Sequence, residues 1–281
     1  MGQTSKKLHR KLKTMAAPLR PAVGGRAGRP DMPSIEKFIE EGLDPIHAAY
    51  AFVQHIVSHF SEGVSQLPEM RKFVKLVAKA EDEYLPSGPP MSPLTGSYFT
   101  CWALFDLQFD STDTLATCFI DANDVVCMTP DQLDALQKMA DSRMGIYEHV
   151  GVDGEHVRLR ELITDDEIVC HSTSGYRGKK GELWYVRLLP PLLPEMANYH
   201  IVFTTPYVLT EATKGDWTQF LQRTLLGFKG MDQRKALHRF LKQGQNPNFW
   251  NEFVFKAYHH PRSDAIFLAG IPDLKATLPH A

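Results

Sequence analysis

Between Met144 and Thr210 the chain changes its period, and this stretch constrains the fold more than any other. GIYEHVGV and EHVRLREL alternate apolar with polar residues, or concentrate β-branched and aromatic ones, around an Asp153-Gly154 pair. That dipeptide is a strong short-range hairpin signal, because the tight turn demands positive φ. EIVCH, ELWYVRLL and YHIVFTT follow, separated by Asp165-Asp166, GKKG and Pro190-Pro191. Five strands this short and this close predict a small bent antiparallel β-sheet or partly open β-barrel over residues 144–210.

The flanks read as helix. Ser34 is placed to cap a short helix that stops at Gly42, and Asp44 followed by Pro45 opens a longer one with Ile46, Tyr50, Val53, Val57 and Phe60 on its apolar face. A third helix is expected from Pro68 to about Glu83, a fourth after Ser97, and a fifth behind Thr129-Pro130. Beyond Leu209 the stretches TQFLQRTLLGF, MDQRKALHRFLKQ and NFWNEFVFKAYHH carry helical patterns, before an extended AIFLAGI. The expected class is therefore α+β, with a helical N-terminal part at 31–143, the β-rich module at 144–210, and a helical C-terminal part at 211–281 packed on the rest.

Residues 1–30 stand apart. They hold eight Lys or Arg and no Asp or Glu, leaving a body of 23 basic and 33 acidic side chains. An acidic body repels nucleic acid on average, so polyanion binding falls to this basic segment or to a local patch. Lys6, Lys7, Arg10, Lys11 and Lys13 cluster, while Leu8, Leu12, Met15 and Leu19 recur at steps that line one helical face. Pro18, Pro21, Gly24, Gly25, Gly28 and Pro30 then break regular structure. Charges interrupt the leucines throughout, which argues against a secretory signal. Lys6 occupies the place where a myristoylation pattern wants Ser or Thr. Four readings stay open: a disordered, solvated tail, a nucleic-acid arm, an attachment to an anionic membrane surface, and an address read by a targeting receptor.

Chemistry-bearing motifs are sparse. Cys101, Cys118, Cys127 and Cys170 form no CxxC pair, and their apolar or β-forming surroundings suit buried, reduced thiols of a cytoplasmic protein. His55 and His59 stand four apart on an expected helix, the spacing at which two imidazoles reach one metal. Ile56 replaces the Glu of an HExxH motif, so these two are weak candidates and no metal or other cofactor is expected. Asp121 with Asp124, and Asp165 to Glu167, read as turn chemistry. No apolar run approaches the ~20 residues of a membrane span. The most suggestive surface segment is GYRGKKGELWY, which sets Tyr176, Arg177, Lys179 and Lys180 on a glycine-flanked loop beside a strand, a cation-and-aromatic mixture suited to single-stranded nucleic acid.

The stretch from Trp102 to Pro191, with Trp102-Ala-Leu-Phe105-Asp106, GIYEHV, VRLRELIT and GKKGELWYVRLLP, resembles a region of uncharacterised bacterial proteins that often also carry the cysteine-rich zinc motif of the SecA C-terminus (SEC-C). The resemblance covers about a third of the chain. It implies a bacterial, cytoplasmic protein with helices followed by a barrel, and no activity. The zinc motif itself is absent here, so no zinc ligand is carried over.

Lacking an assembled catalytic signature, the chain reads first as a non-enzymatic binding or adaptor protein whose partner is a protein or a nucleic acid. The alternative is an enzyme whose site draws together distant residues, with His55, His59, Asp106 or His171 as members.

Overall fold

A computed structural model describes residues 2–16, 33–62, 68–85, 95–108, 112–196, 198–244, 255–261, 264–270 and 272. The chain divides into two compact units, one of residues 1–81 and 99–141, the other of residues 82–98 and 142–281.

The first unit is helical, with α1 (Gln3–Ala16), α2 (Ile35–Glu40), α3 (Pro45–Glu62), α4 (Arg71–Tyr84), α5 (Gly96–Phe105), α6 (Leu115–Asp121), α7 (Asn123–Val126) and α8 (Pro130–Asp141); the ends of α4 and α5 run into the second unit. The expected caps set these boundaries. Ser34 accepts from the Lys37 amide at 3.3 Å. Asp44 accepts from Ile46 and His47 at 3.0 and 3.2 Å, and Thr129 with Gln132 closes a reciprocal capping box. Along α3, Phe52, Val53, Ile56, Val57 and Phe60 are buried, and Phe60 meets Phe119 of α6 with ring centroids 4.4 Å apart.

Most of the second unit is a sheet, and its first five strands are the five expected ones: β1 (Met144–Asp153), β2 (His156–Glu161), β3 (Glu167–Ser172), β4 (Leu183–Leu189) and β5 (His200–Val202). They run in the order β1-β2-β3-β5-β4, and β4 returns to β1 and closes the barrel. Closure depends on the length of β1. Its first half pairs with β4, from Met144↔Arg187 to Glu148↔Leu183, and a register shift between His149 and Gly151 bends the strand where its second half pairs with β2. The pairing is mixed rather than wholly antiparallel, because β5 inserts between β4 and β3, antiparallel to the first and parallel to the second.

Inside the barrel pack Tyr147, Val157, Leu159, Cys170, Trp184 and Val186, with Val202 beside them. The sheet then continues past β4 through β6 (Tyr207–Leu209), β8 (Ile266–Gly270) and β7 (Phe255–Pro261). Consequently β4 has neighbours β1, β5 and β6, and every one of its residues is buried. A strand covered on both faces reads as a continuous apolar run, and LWYVRLL does. Its one charge, Arg187, lies fully buried and donates from Nη1 to the carbonyl and hydroxyl of Ser142 at 3.1 and 3.0 Å.

The C-terminal part is helical as expected through two helices and departs from expectation at one segment. Helices α9 (Lys214–Leu225) and α10 (Gln233–Gln243) form as their patterns predict. Of the next expected helix, residues 248–254 lie outside the described residues, whereas Phe255–Pro261 is strand β7. The edge of β8 offers backbone partners there, and pairing overrides a local helical pattern. At the N-terminal end, residues 3–16 are helix, as the spacing of Leu8 and Leu12 along one face allows, and residues 17–30 lie outside the described set.

Trp184 is completely buried in this core, with its ring against Tyr176 and His149, so Trp184→Ala is expected to cost about 3–5 kcal/mol through lost burial and the cavity left behind. Guanidinium unfolding of the purified chain checks it, with a shift below 1 kcal/mol excluding the central role.

Candidate polyanion-binding surfaces

Helix α1 is held against α6 and α7 by its less charged side. Leu8 is completely buried. The amides of Gly2 and Ser5 donate to the two carboxylate oxygens of buried Asp113 at 2.9 and 3.0 Å, so an aspartate from another segment caps orphan donors at the start of the helix. A side chain at position 2 would collide with that carboxylate. The Ser5 hydroxyl donates to Asp121 at 2.6 Å, and His9 Nε2 lies 2.7 Å from Asp124. One turn separates Ser5 from His9, and about one turn separates Asp121 from Asp124, so the two rows meet in step.

This docking fixes where the cations point. At 100° per residue Lys6, Arg10 and Lys13 fall within about 60° of one another on the face away from Leu8, with Lys7 and Lys11 at its flank. Lys6, Lys7, Arg10 and Lys13 are exposed and Lys11 is half-buried. None of the five has an ion pair among the described residues. Along the axis Lys6, Arg10 and Lys13 sit at intervals of about 6 and 4.5 Å.

The loop between β3 and β4 is built differently. His149, buried on β1, contacts the Arg177 carbonyl through Nε2 at 2.8 Å, and backbone bonds join Gly181 and Glu182 to the same histidine. Gly178 takes φ 61° and lies so close to the Trp184 indole that a side chain has no room. Tyr176 is not a surface residue. Its ring is buried against Trp184 and Phe267, and its hydroxyl donates to Glu182, which also accepts from the Trp184 indole at 3.1 Å. It therefore cannot stack on a base. Arg177 is spent on the hairpin turn, where its guanidinium donates to the Gly154 carbonyl. Only Lys179 and Lys180 of the expected four stand exposed without a partner among the described residues.

His55 and His59 both lie on α3. His55 is exposed beside Phe38, and His59 is half-buried with its ring against Phe60. Among the described residues no three His, Cys, Asp or Glu side chains converge as ligands. Cys101, Cys118 and Cys170 are buried thiols in no disulfide, and burial pushes the Cys170 thiol up; Cys127, expected in the core, is exposed. No described helix is long and apolar enough to cross a membrane. No known protein family, no curated protein and no solved structure matches the chain.

The sequence singled out the α1 cations but missed the residues that orient them. Asp121 and Asp124 looked like turn formers, and only their three-residue spacing, matched to Ser5 and His9, could have linked them to α1. Asp113→Ala strands two helix-end amides and is expected to cost about 1–3 kcal/mol. Hydrogen exchange should show faster amides in residues 3–16 with unchanged β1–β4; unaltered α1 protection would contradict the capping role.

Proposed function

We propose that this is a non-enzymatic nucleic-acid-binding protein that takes phosphate groups on the exposed face of α1. The observation that carries the reading is the docked row of Lys6, Lys7, Arg10 and Lys13, held outward by the Leu8, Asp113, Asp121 and Asp124 contacts on the opposite side. A cationic row already ordered loses little backbone entropy on binding, and each phosphate it neutralises releases counterions. With the body acidic, such a row is where a polyanion can be held.

A nucleic acid fits this surface better than a membrane does. A basic amphipathic helix binds a bilayer by sinking its apolar face among the acyl chains. In α1 that face is committed, since Leu8 is fully buried against the protein. Phosphate contacts of this kind carry no sequence information, so the expected binding is weakly sequence-selective. The setting that goes with the proposal is the bacterial cytoplasm. Lys179 and Lys180 add a second, smaller cationic group.

The test replaces Lys6, Lys7, Arg10 and Lys13 together by Gln and measures binding of a single-stranded 20-mer RNA from 50 to 200 mM salt. The slope of log K against log salt is expected to shrink by up to about 3, from ~0.7 per phosphate contact, with affinity at 50 mM falling at least tenfold. An unchanged isotherm, or attachment to phosphatidylserine vesicles without RNA binding, overturns the reading.

A further inference from the structure

A second anionic ligand site is suggested by a cleft of about 380 Å³ in the second unit, where α10 faces the turn between β2 and β3. Its floor is closed and its mouth is not. On the floor, Arg143 donates to buried Glu161 at 2.6 Å, and Thr164 donates to the second oxygen of the same carboxylate at 2.7 Å. Tyr147 lies beside them, its phenol pushed up by burial and so kept neutral. Asp165, in the turn above, holds φ 57°, a left-handed conformation unusual outside glycine.

At the mouth Asp232 caps α10, accepting from the Lys235 amide at 2.9 Å and pairing with the Lys235 ammonium at 3.1 Å. Behind that cap the first turn holds Arg234 and Lys235 and no acidic residue. His238 follows one turn on. Partial desolvation, then the nearby cations Arg143, Lys242 and Arg187, hold its pKa down, to about 4, so the imidazole is neutral near pH 7. Arg234 grips Asp166 with both guanidinium nitrogens, but the pair is largely exposed, at 66% and 42% of side-chain surface. An exposed ion pair is worth little against solvent and salt, so an incoming anion can exchange with it. The floor pair Arg143–Glu161, at 14% and 8% exposed, stays in place.

We propose that this cleft binds a small organic oxyanion, a phosphate or carboxylate on a compact body, by displacing Asp166 from Arg234. The oxyanion takes the planar fork that Asp166 now fills, which suits two-oxygen recognition. Lys235 and His238 flank it, and the organic part lies along Ile168 and Tyr147, which also line the cleft. Asp166 is then an internal competitor. The site does not depend on the α1 surface.

Calorimetric titration of the full chain with phenyl phosphate, benzoate and inorganic phosphate tests this. Phenyl phosphate or benzoate should bind more tightly than inorganic phosphate, and which of the two is tighter assigns the head group. Arg234→Gln with Lys235→Gln should weaken that ligand at least tenfold. Asp166→Asn should tighten it several-fold, a gain that a merely structural ion pair would not produce. The α1 quadruple Gln variant should bind it as the parent does, so failure here and failure of the nucleic-acid reading are separable. Absence of binding by all three anions, an unaltered affinity in the Arg234/Lys235 variant, or a weaker affinity in Asp166→Asn each overturns the proposal.

Discussion

The second unit depends on one strand that must be hydrogen-bonded on both edges and dry on both faces. Strand β4 closes the barrel through β1, receives β5, and passes the sheet on to β6. Its backbone groups have no water to turn to, so the barrel and the extended sheet have to form around it. Arg187 is the tolerated exception, because the Ser142 carbonyl and hydroxyl meet its guanidinium and Lys242 donates to the same carbonyl at 2.8 Å. Charge inside the fold is thus held by hydrogen bonds at the chain segment that leads into β1.

The first unit solves a different problem, that of keeping a very basic helix on a protein. Burial of Leu8 alone would leave the orphan amides at the start of α1 unsatisfied. Asp113 supplies both acceptors, and Asp121 and Asp124 take Ser5 and His9. Using uncharged or titratable groups for the docking contacts leaves the lysines and Arg10 for solvent. The same economy appears in the β3–β4 loop, where Arg177 and Tyr176 stabilise the loop while Lys179 and Lys180 do not.

Much of the local structure was legible in the sequence because it is set by contacts within a few residues. Ser34, Asp44 and Thr129 cap their own helices, and Asp153-Gly154 turns its own hairpin. The candidate site residues were legible only in part. Lys6, Lys7, Arg10 and Lys13 announce themselves by composition, but Tyr176 looked equally exposed, and its burial depends on Trp184 and Phe267, the latter far along the chain. Arg234 and Asp166 are 68 residues apart, and no local pattern relates them.

The sequence by itself determined the number of barrel strands, the helix starts and the charge contrast between the first 30 residues and the body, since period, caps and composition are properties of neighbours along the chain. Only the tertiary structure decided that β5 runs parallel to β3, that Phe255–Pro261 joins a sheet, and that residues 3–16 of the basic segment dock as a helix. Those outcomes rest on which distant backbone edge or carboxylate is free to accept a partner. That is settled when the chain folds back on itself, and no window of the sequence contains it.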